Sequence, residues 1–178
     1  MTDELMSEIK VPRTDGSIIT VVGVGGAGGN AVNHMWNLGI RGVTFMVCNT
    51  DQQALDKSPV ERKIRLGSEG LGAGNDPENG RRAAVESLPE IRQVLEEAGT
   101  KMLFITAGMG GGTGTGASPV IAKLAKEMGL LTVAIVTSPL AVEGKIRYEQ
   151  AFRGIEELRQ NTDSLLIINN ENILEIYG

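Results

Sequence analysis

The feature that most constrains this chain is the stretch of residues 108–116, called here the glycine loop, which holds six glycines in nine positions before a helical segment. A glycine inside a regular element costs about 0.5–1 kcal/mol relative to alanine. Because the total stability of a protein is only about 5–15 kcal/mol, six glycines without a function would be a substantial loss. A plain flexible linker is the alternative. Backbone amides without neighbouring side chains can converge on a polyphosphate, and the following helix adds its dipole and its unpaired amides. We therefore interpret the glycine loop as a phosphate-binding loop.

Two further glycine clusters also follow strand-like segments. Residues 23–29 hold five glycines and fit the G-x-G-x-x-G pattern, while Asp51 lies where a ribose-binding carboxylate would sit after the next strand. That pattern alone is weak, because a tight strand-to-helix turn also needs glycine and Asp51 could instead cap the short helix that follows. Residues 67–80 hold five more glycines, so 16 of the 24 lie in three clusters. This distribution favours a nucleotide cradle over general flexibility.

Short apolar segments alternate with helical segments along the chain. We expect strands at 17–24, 43–48, 63–66, 102–106, 131–137 and 165–168, and helices at 30–38, 77–98, 115–128 and 146–160, with one more starting near Glu171. Pro89 is expected to divide the second of these helices. The alternation predicts an α/β fold, a doubly wound Rossmann-like parallel sheet with helices on both faces. Ligands of such sheets bind at the carboxyl ends of the strands.

The last long helical segment, 146–160, carries its apolar residues at helical spacing, which predicts a single apolar face. The residues of that face are Tyr148, Ala151, Phe152, Ile155 and Leu158.

Charge and composition exclude several function classes. The net charge is −5, basic residues are densest at 62–65, and aromatic residues are few, so we expect no nucleic-acid partner. No apolar run approaches the 18 or more residues of a membrane span, which favours a cytoplasmic protein without direct membrane insertion. Cys48 and His34 are single residues of their type, so zinc sites and histidine catalysis lack material. Any metal would be oxygen-bound, such as Mg²⁺.

The order of motifs resembles the tubulin and FtsZ superfamily. The glycine loop, Gly-Met-Gly-Gly-Gly-Thr-Gly-Thr-Gly, resembles the signature loop of that family, and no lysine-containing Walker A sequence competes with it. The segments that resemble the family's other nucleotide loops and its last strand are residues 23–32, 49–51, 70–78, 143–147 and 164–170. The resemblance covers residues 18–176. It implies a GTPase that binds GTP or GDP, with Mg²⁺ accompanying GTP, polymerises head to tail and forms the bacterial division ring.

The resemblance also implies a nucleotide-binding set, without a catalytic residue or a protein metal ligand. The first loop and the glycine loop would hold the phosphates, Glu143 the ribose, Arg147 the ribose-phosphate side, and Asn170 the guanine. An i, i+4 ion pair between Glu143 and Arg147 is one alternative; helix capping is another for Asn170, Thr113 and Thr115. The full set is Gly25, Gly26, Ala27, Gly28, Gly29, Asn30, Asp51, Gly110, Gly111, Gly112, Thr113, Gly114, Thr115, Glu143, Arg147 and Asn170.

Three departures from the family pattern stand out. Residues 139–142 lack the aromatics that usually precede the glutamate, Asn169-Asn170-Glu171 replaces Pro-Asn-Asp, and the third loop is short. We expect residues 1–16 to form a loose tail and 17–178 to form one GTP-binding domain, without the family's central helix, acidic catalytic loop and second domain. That domain should bind guanine nucleotide, associate with FtsZ subunits and fail to hydrolyse GTP alone. Half of an NAD-dependent oxidoreductase and a filament-capping module remain the alternatives.

Overall fold

The computed structural model describes residues 17–170. The strands of this part are β1 Ile19–Val24, β2 Thr44–Asn49, β3 Arg62–Arg65, β4 Met102–Gly108, β5 Leu131–Ser138 and β6 Ser164–Asn169. Its α-helices are α1 Gly25–Asn37, α2 Gln52–Asp56, α3 Pro77–Glu86, α4 Leu88–Glu97, α5 Thr113–Glu127 and α6 Lys145–Gln160, with a short 3₁₀ turn at Ala141–Glu143. The predicted tail at 1–16 and the helix near Glu171 lie outside the described residues.

The six strands form one parallel sheet in the order β3-β2-β1-β4-β5-β6. The order reverses between β1 and β4, which are direct neighbours, with Ile19 opposite Met102 and Val24 opposite Ala107. This is the doubly wound arrangement whose ligand crevice lies at the reversal point, outside the carboxyl ends of the strands. The predicted α/β fold is confirmed.

Helices cover both faces of the sheet and create two cores. The larger core lies beneath α3, α4, α5 and α6 and includes the fully buried Leu103, Ile105 and Ile121. The smaller core lies beneath α1 and α2, where Trp36 and Phe45 meet edge to face with ring centroids 6.0 Å apart. Burying each large aliphatic side chain contributes about 1.5–3 kcal/mol, and this burial fixes the strand ends that form the crevice.

Helix α1 begins at Gly25, five residues before the predicted start at residue 30. Four glycines therefore lie inside the helix, where their intrinsic propensity is poor. The reason is contact with the sheet: a Cβ on Gly28 would overlap the carbonyl oxygen of Thr106 in β4 and would lie 3.0 Å from its carbonyl carbon. The absence of a side chain lets α1 approach β4 closely, and this packing outweighs propensity.

Helices α3 and α4 are separate, as the position of Pro89 predicts, with the break at Ser87 just before α4.

In α6 the predicted apolar face is only partly buried. Ala151 and Ile155 lie in the core, as does Leu158, but Tyr148 and Phe152 are 58% and 62% exposed. The contact with α5 is instead made around Gly154, a position that the apolar pattern omits.

Candidate nucleotide site

A cavity of about 370 Å³ opens at the carboxyl ends of β1, β4 and β5. Its volume is within the range of small-molecule sites, about 300–1,000 Å³. A second cavity, of about 210 Å³, lies between α1, the end of β2 and α2. We call them the main cavity and the side cavity; Gly26 borders both.

The structure distributes the predicted residues unevenly between these cavities. The main cavity is lined by the predicted residues Gly26, Ala27, Gly111, Gly112, Thr113, Gly114, Glu143, Arg147 and Asn170. The side cavity is lined by Gly25, Gly26, Gly29, Asn30 and Asp51. Neither lining includes Gly28, Gly110 or Thr115. Most of the predicted set is therefore brought together around one opening.

The glycine loop is held against the loop that precedes α3. A Cβ on Gly112 would lie 2.7 Å from the Cβ of Ala73 and 2.9 Å from the backbone nitrogen of Asp76. A Cβ on Gly111, in contrast, would meet only the Asn75 Oδ1 within 4 Å, at 3.8 Å. The loop thus packs closely on one side and leaves backbone exposed to the cavity on the other.

Two helices point uncapped amino termini at the main cavity. Val24 precedes α1 and Gly112 precedes α5, and neither supplies a side-chain hydrogen bond to its helix. By comparison, Asp51 caps α2, where its carboxylate accepts from the backbone amides of Gln53 and Ala54. Helix termini without such caps carry unpaired amides and partial positive charge, which are suited to binding an anion. The arrangement can therefore hold phosphate groups without a lysine.

Glu143 and Arg147 face each other at the cavity rim. The Glu143 carboxylate accepts hydrogen bonds from the Leu140 backbone amide and from Arg147 Nη1, both at 2.9 Å. The backbone hydrogen bond from Leu140 is the main reason why the pKa of Glu143 lies below its ordinary value. Partial burial raises this pKa, and the hydrogen bond and charge of Arg147 lower it further. The ion pair that was an alternative to nucleotide binding is thus present, and both side chains still line the cavity.

Asn170 lies beside the end of β5, where its side-chain amide donates to the Ser138 carbonyl at 3.2 Å. Thr137, Ser138 and Pro139 line the cavity next to it, although sequence reasoning did not select them. Thr137 ends the predicted strand 131–137 and the other two residues follow it directly, and this position at the carboxyl end of a strand is the signal that could have found them.

The two threonines of the glycine loop behave differently. Thr113 lines the main cavity, and its hydroxyl is 2.6 Å from the hydroxyl of Thr50 in the loop after β2. Thr115 is buried, and its hydroxyl accepts from the Gly110 backbone amide at 2.8 Å. Neither side chain caps α5, whose cap residue is Gly112.

Residues 18–178 match the GTPase domain of the Tubulin/FtsZ family. The chain belongs to this family. Cell division protein FtsZ of Porphyromonas gingivalis is 52% identical over 180 residues, which cover 99% of this chain and 39% of the relative. FtsZ of Pseudomonas aeruginosa is 53% identical over 165 residues, 91% of this chain and 41% of the relative. The chain therefore spans about two fifths of the length of these relatives.

Solved structures of the family agree with the fold. An empty FtsZ dimer of M. jannaschii has a TM-score of 0.87 and 46% identity, covering 90% of this chain and 47% of that one. A GTPγS-bound protofilament of CetZ2 from Haloferax volcanii has a TM-score of 0.77 and 28% identity, covering 86% of this chain and 49% of that one. The family assignment leaves the NAD interpretation, which depended on the first glycine cluster and Asp51, without support.

Two negative observations concern only residues 17–170. No group of three or more His, Cys, Asp or Glu side chains in this part is arranged to hold a metal ion. No helix of the same part is long and apolar enough to cross a membrane.

Proposed function

We propose that this chain binds GTP or GDP in the main cavity as the nucleotide-binding domain of an FtsZ-type GTPase. The observation that carries the proposal is the meeting of two uncapped helix termini, those of α1 and α5, where the strand order reverses. Amides at such a position bind phosphate without further charged groups. The GTPγS-bound CetZ2 structure, which shares the fold, supports the choice of nucleotide.

We propose that the residues lining the main cavity divide a nucleotide between them. Backbone amides of the segments containing Gly26 and Gly111 would hold the phosphates, because a Cβ there meets little or nothing within 4 Å. Glu143 would accept from ribose hydroxyls through its charged carboxylate, and Arg147 would lie along the ribose-phosphate side. Asn170 would approach the guanine with its carbonyl oxygen, since its amide donates to Ser138.

Mg²⁺ would accompany GTP and be held chiefly by phosphate oxygens and water. Mg²⁺ commonly binds through one or two carboxylates plus substrate phosphates and keeps several waters. Asp51, which lines the side cavity together with Gly26, is a candidate carboxylate for the ion, although one of its oxygens already caps α2. Bound there, the ion would offset the negative charge of the phosphates.

We further propose that the chain alone does not hydrolyse GTP. The acidic side chains that line the two cavities are Glu143 and Asp51, and both accept backbone hydrogen bonds. A carboxylate that positions the attacking water would then come from a neighbouring subunit, in line with the dimer and protofilament arrangements described for the relatives. Measurable phosphate release by the pure chain would refute this.

Mixing experiments test the shared site. If this chain presents GTP and an intact FtsZ subunit presents the acidic loop, GTP hydrolysis should rise with each addition of the chain to a fixed amount of full-length FtsZ. No extra hydrolysis per added chain would contradict the shared site.

In the cell we propose a cytoplasmic protein that joins FtsZ subunits at the division site; the support is that the relatives are named cell division proteins. We propose that it associates with a filament end through its nucleotide-binding surface and so caps a head-to-tail filament. When this chain is titrated into assembling FtsZ, the light-scattering signal should fall because the polymers are shorter. Unchanged scattering would contradict an association with the filament end.

Nucleotide identity is the direct test of the main proposal. Purified chain is denatured, and the released small molecules are separated and identified. Recovered GDP or GTP, with GDP rebinding after removal, supports the proposal. Recovered NAD, or no rebinding of GDP, would refute it.

A further inference from the structure

The hydroxyl of Thr115 is used inside the glycine loop and not in the cavity. It accepts a 2.8 Å hydrogen bond from the backbone amide of Gly110, and the Thr115 residue is only 3% exposed. Gly110 has a φ of +110°, a conformation that side chains disfavour. The bond spans five positions and closes the loop on itself, so it fixes the directions of the amides at 111–114 that lie between.

The methyl group of Thr115 is fixed from a different element. A Cβ on Gly154 of α6 would lie 2.6 Å from the Thr115 Cγ2 and 2.8 Å from the Cε of Met109. The hydrogen bond between Gly110 and Thr115 is called here the latch. The same helix touches its other end, because a Cβ on Gly110 would lie 3.2 Å from the Arg147 carbonyl oxygen. Helix α6 therefore confines both ends of the Gly110–Thr115 hydrogen bond.

We infer that Thr115 is a positioning residue that acts on bound phosphate through the backbone of the glycine loop. The inference rests on the proposed nucleotide function and deepens it. Gly110 donates its amide internally and does not bind phosphate, whereas the amides of 111–114 do. Thr115 holds these amides in a converging arrangement before the ligand arrives, and preorganised donors of this kind add affinity because ordering costs less on binding.

Two variants separate the hydroxyl from the methyl group. Thr115→Val keeps the shape that packs against Gly154 and removes the acceptor for the Gly110 amide. Thr115→Ser keeps the acceptor and removes the methyl. Dissociation constants for GDP and for guanosine, which has no phosphate, are measured by competition against labelled GDP, together with thermal unfolding of each variant.

We expect Thr115→Val to lower GDP affinity about tenfold, equivalent to about 1.4 kcal/mol, while guanosine affinity changes by less than about twofold. The quantity compared is the dissociation constant for guanosine divided by that for GDP. Thr115→Ser should keep the wild-type value of this ratio even if its unfolding temperature falls. A purely structural role would lower stability and leave the ratio unchanged in both variants. An unchanged ratio in Thr115→Val, or a reduced ratio of the same size in Thr115→Ser, overturns the inference.

Amide hydrogen exchange of the wild-type chain tests the latch without a variant. The Gly110 amide should be protected in the nucleotide-free chain, with no further protection on adding GDP, whereas the amides of residues 111–114 should gain protection. Fast exchange at Gly110 in the free chain would refute the latch itself. Protection at Gly110 without any GDP binding would instead refute the proposed function, and with it the role assigned to Thr115 in phosphate binding.

Discussion

Replacing Gly28 by alanine should damage the protein chiefly through contact with the backbone of β4. The new Cβ would overlap the Thr106 carbonyl oxygen and lie 3.0 Å from the carbonyl carbon, and both atoms belong to the backbone of the central strand β4. A flexible side chain could move aside, but a strand hydrogen-bonded on both edges cannot. Helix α1 would therefore have to shift outward along its first turn, which borders the main cavity.

The expected loss follows from two opposing effects. Overpacking a well-packed site costs about 1–3 kcal/mol, and rigid backbone atoms on both sides of this contact favour the upper end. Alanine in place of glycine inside a helix returns about 1 kcal/mol. The net destabilisation should be about 2 kcal/mol, which lowers the melting temperature by about 4–8 °C for a chain of this size.

Gly29 offers a matched control in the next position of the same helix. A Cβ there meets nothing within 4 Å, so Gly29→Ala should be neutral or stabilise by up to about 1 kcal/mol. Urea unfolding followed by circular dichroism gives the free energy of unfolding of both variants. If Gly28→Ala is as stable as Gly29→Ala, the close approach of α1 to β4 does not limit this position and the reasoning fails.

Three further predictions concern other groups. The pKa of Glu143 is lowered by folding, so its carboxylate stabilises the fold above its unfolded-state pKa and loses this effect as the pH falls through the lower folded value. Glu143→Gln should therefore show a smaller loss of urea stability between neutral and acidic pH than wild type. Burial raises the pKa of the Cys48 thiol, so a disulfide reagent should label Cys48 only after unfolding; rapid labelling of folded chain would contradict this. Thr50→Val removes the partner of the Thr113 hydroxyl and should weaken GDP binding several-fold, about 1 kcal/mol, measured by calorimetry with Thr50→Ser as the control that keeps the hydroxyl.

The alternation of apolar and helical segments was sufficient to predict the sheet. β-branched runs such as Ile19–Val24 are typical of parallel strands that are covered on both faces. The start of α1 could not be predicted in the same way, since it depends on the distance between Gly28 and Thr106 and not on local propensity. Sequence spacing likewise selected Tyr148 and Phe152 for the apolar face of α6, but the position of α5 decides which side of that helix is covered.

Much of the candidate site could be predicted because glycine is informative where a backbone must bind a ligand. The direction in which each side chain points could not be predicted from the sequence. Thr113 and Thr115 are two positions apart in one motif, yet one lines the main cavity and the other bonds within the loop. That difference arises from the turn at Gly110 and from the packing of α6, which are tertiary features.

The pairing of β1 with β4 has a consequence for how the chain folds. It pairs residue 19 with residue 102, so the two central strands can meet only when a chain segment of more than eighty residues has closed into a loop. Contacts between such distant positions close late and slow the folding of parallel sheets. Because the main cavity lies at the ends of these two strands, an early intermediate has nowhere to bind nucleotide. GDP should then slow unfolding while leaving the first steps of refolding unchanged, and it would act as a reporter of the last step.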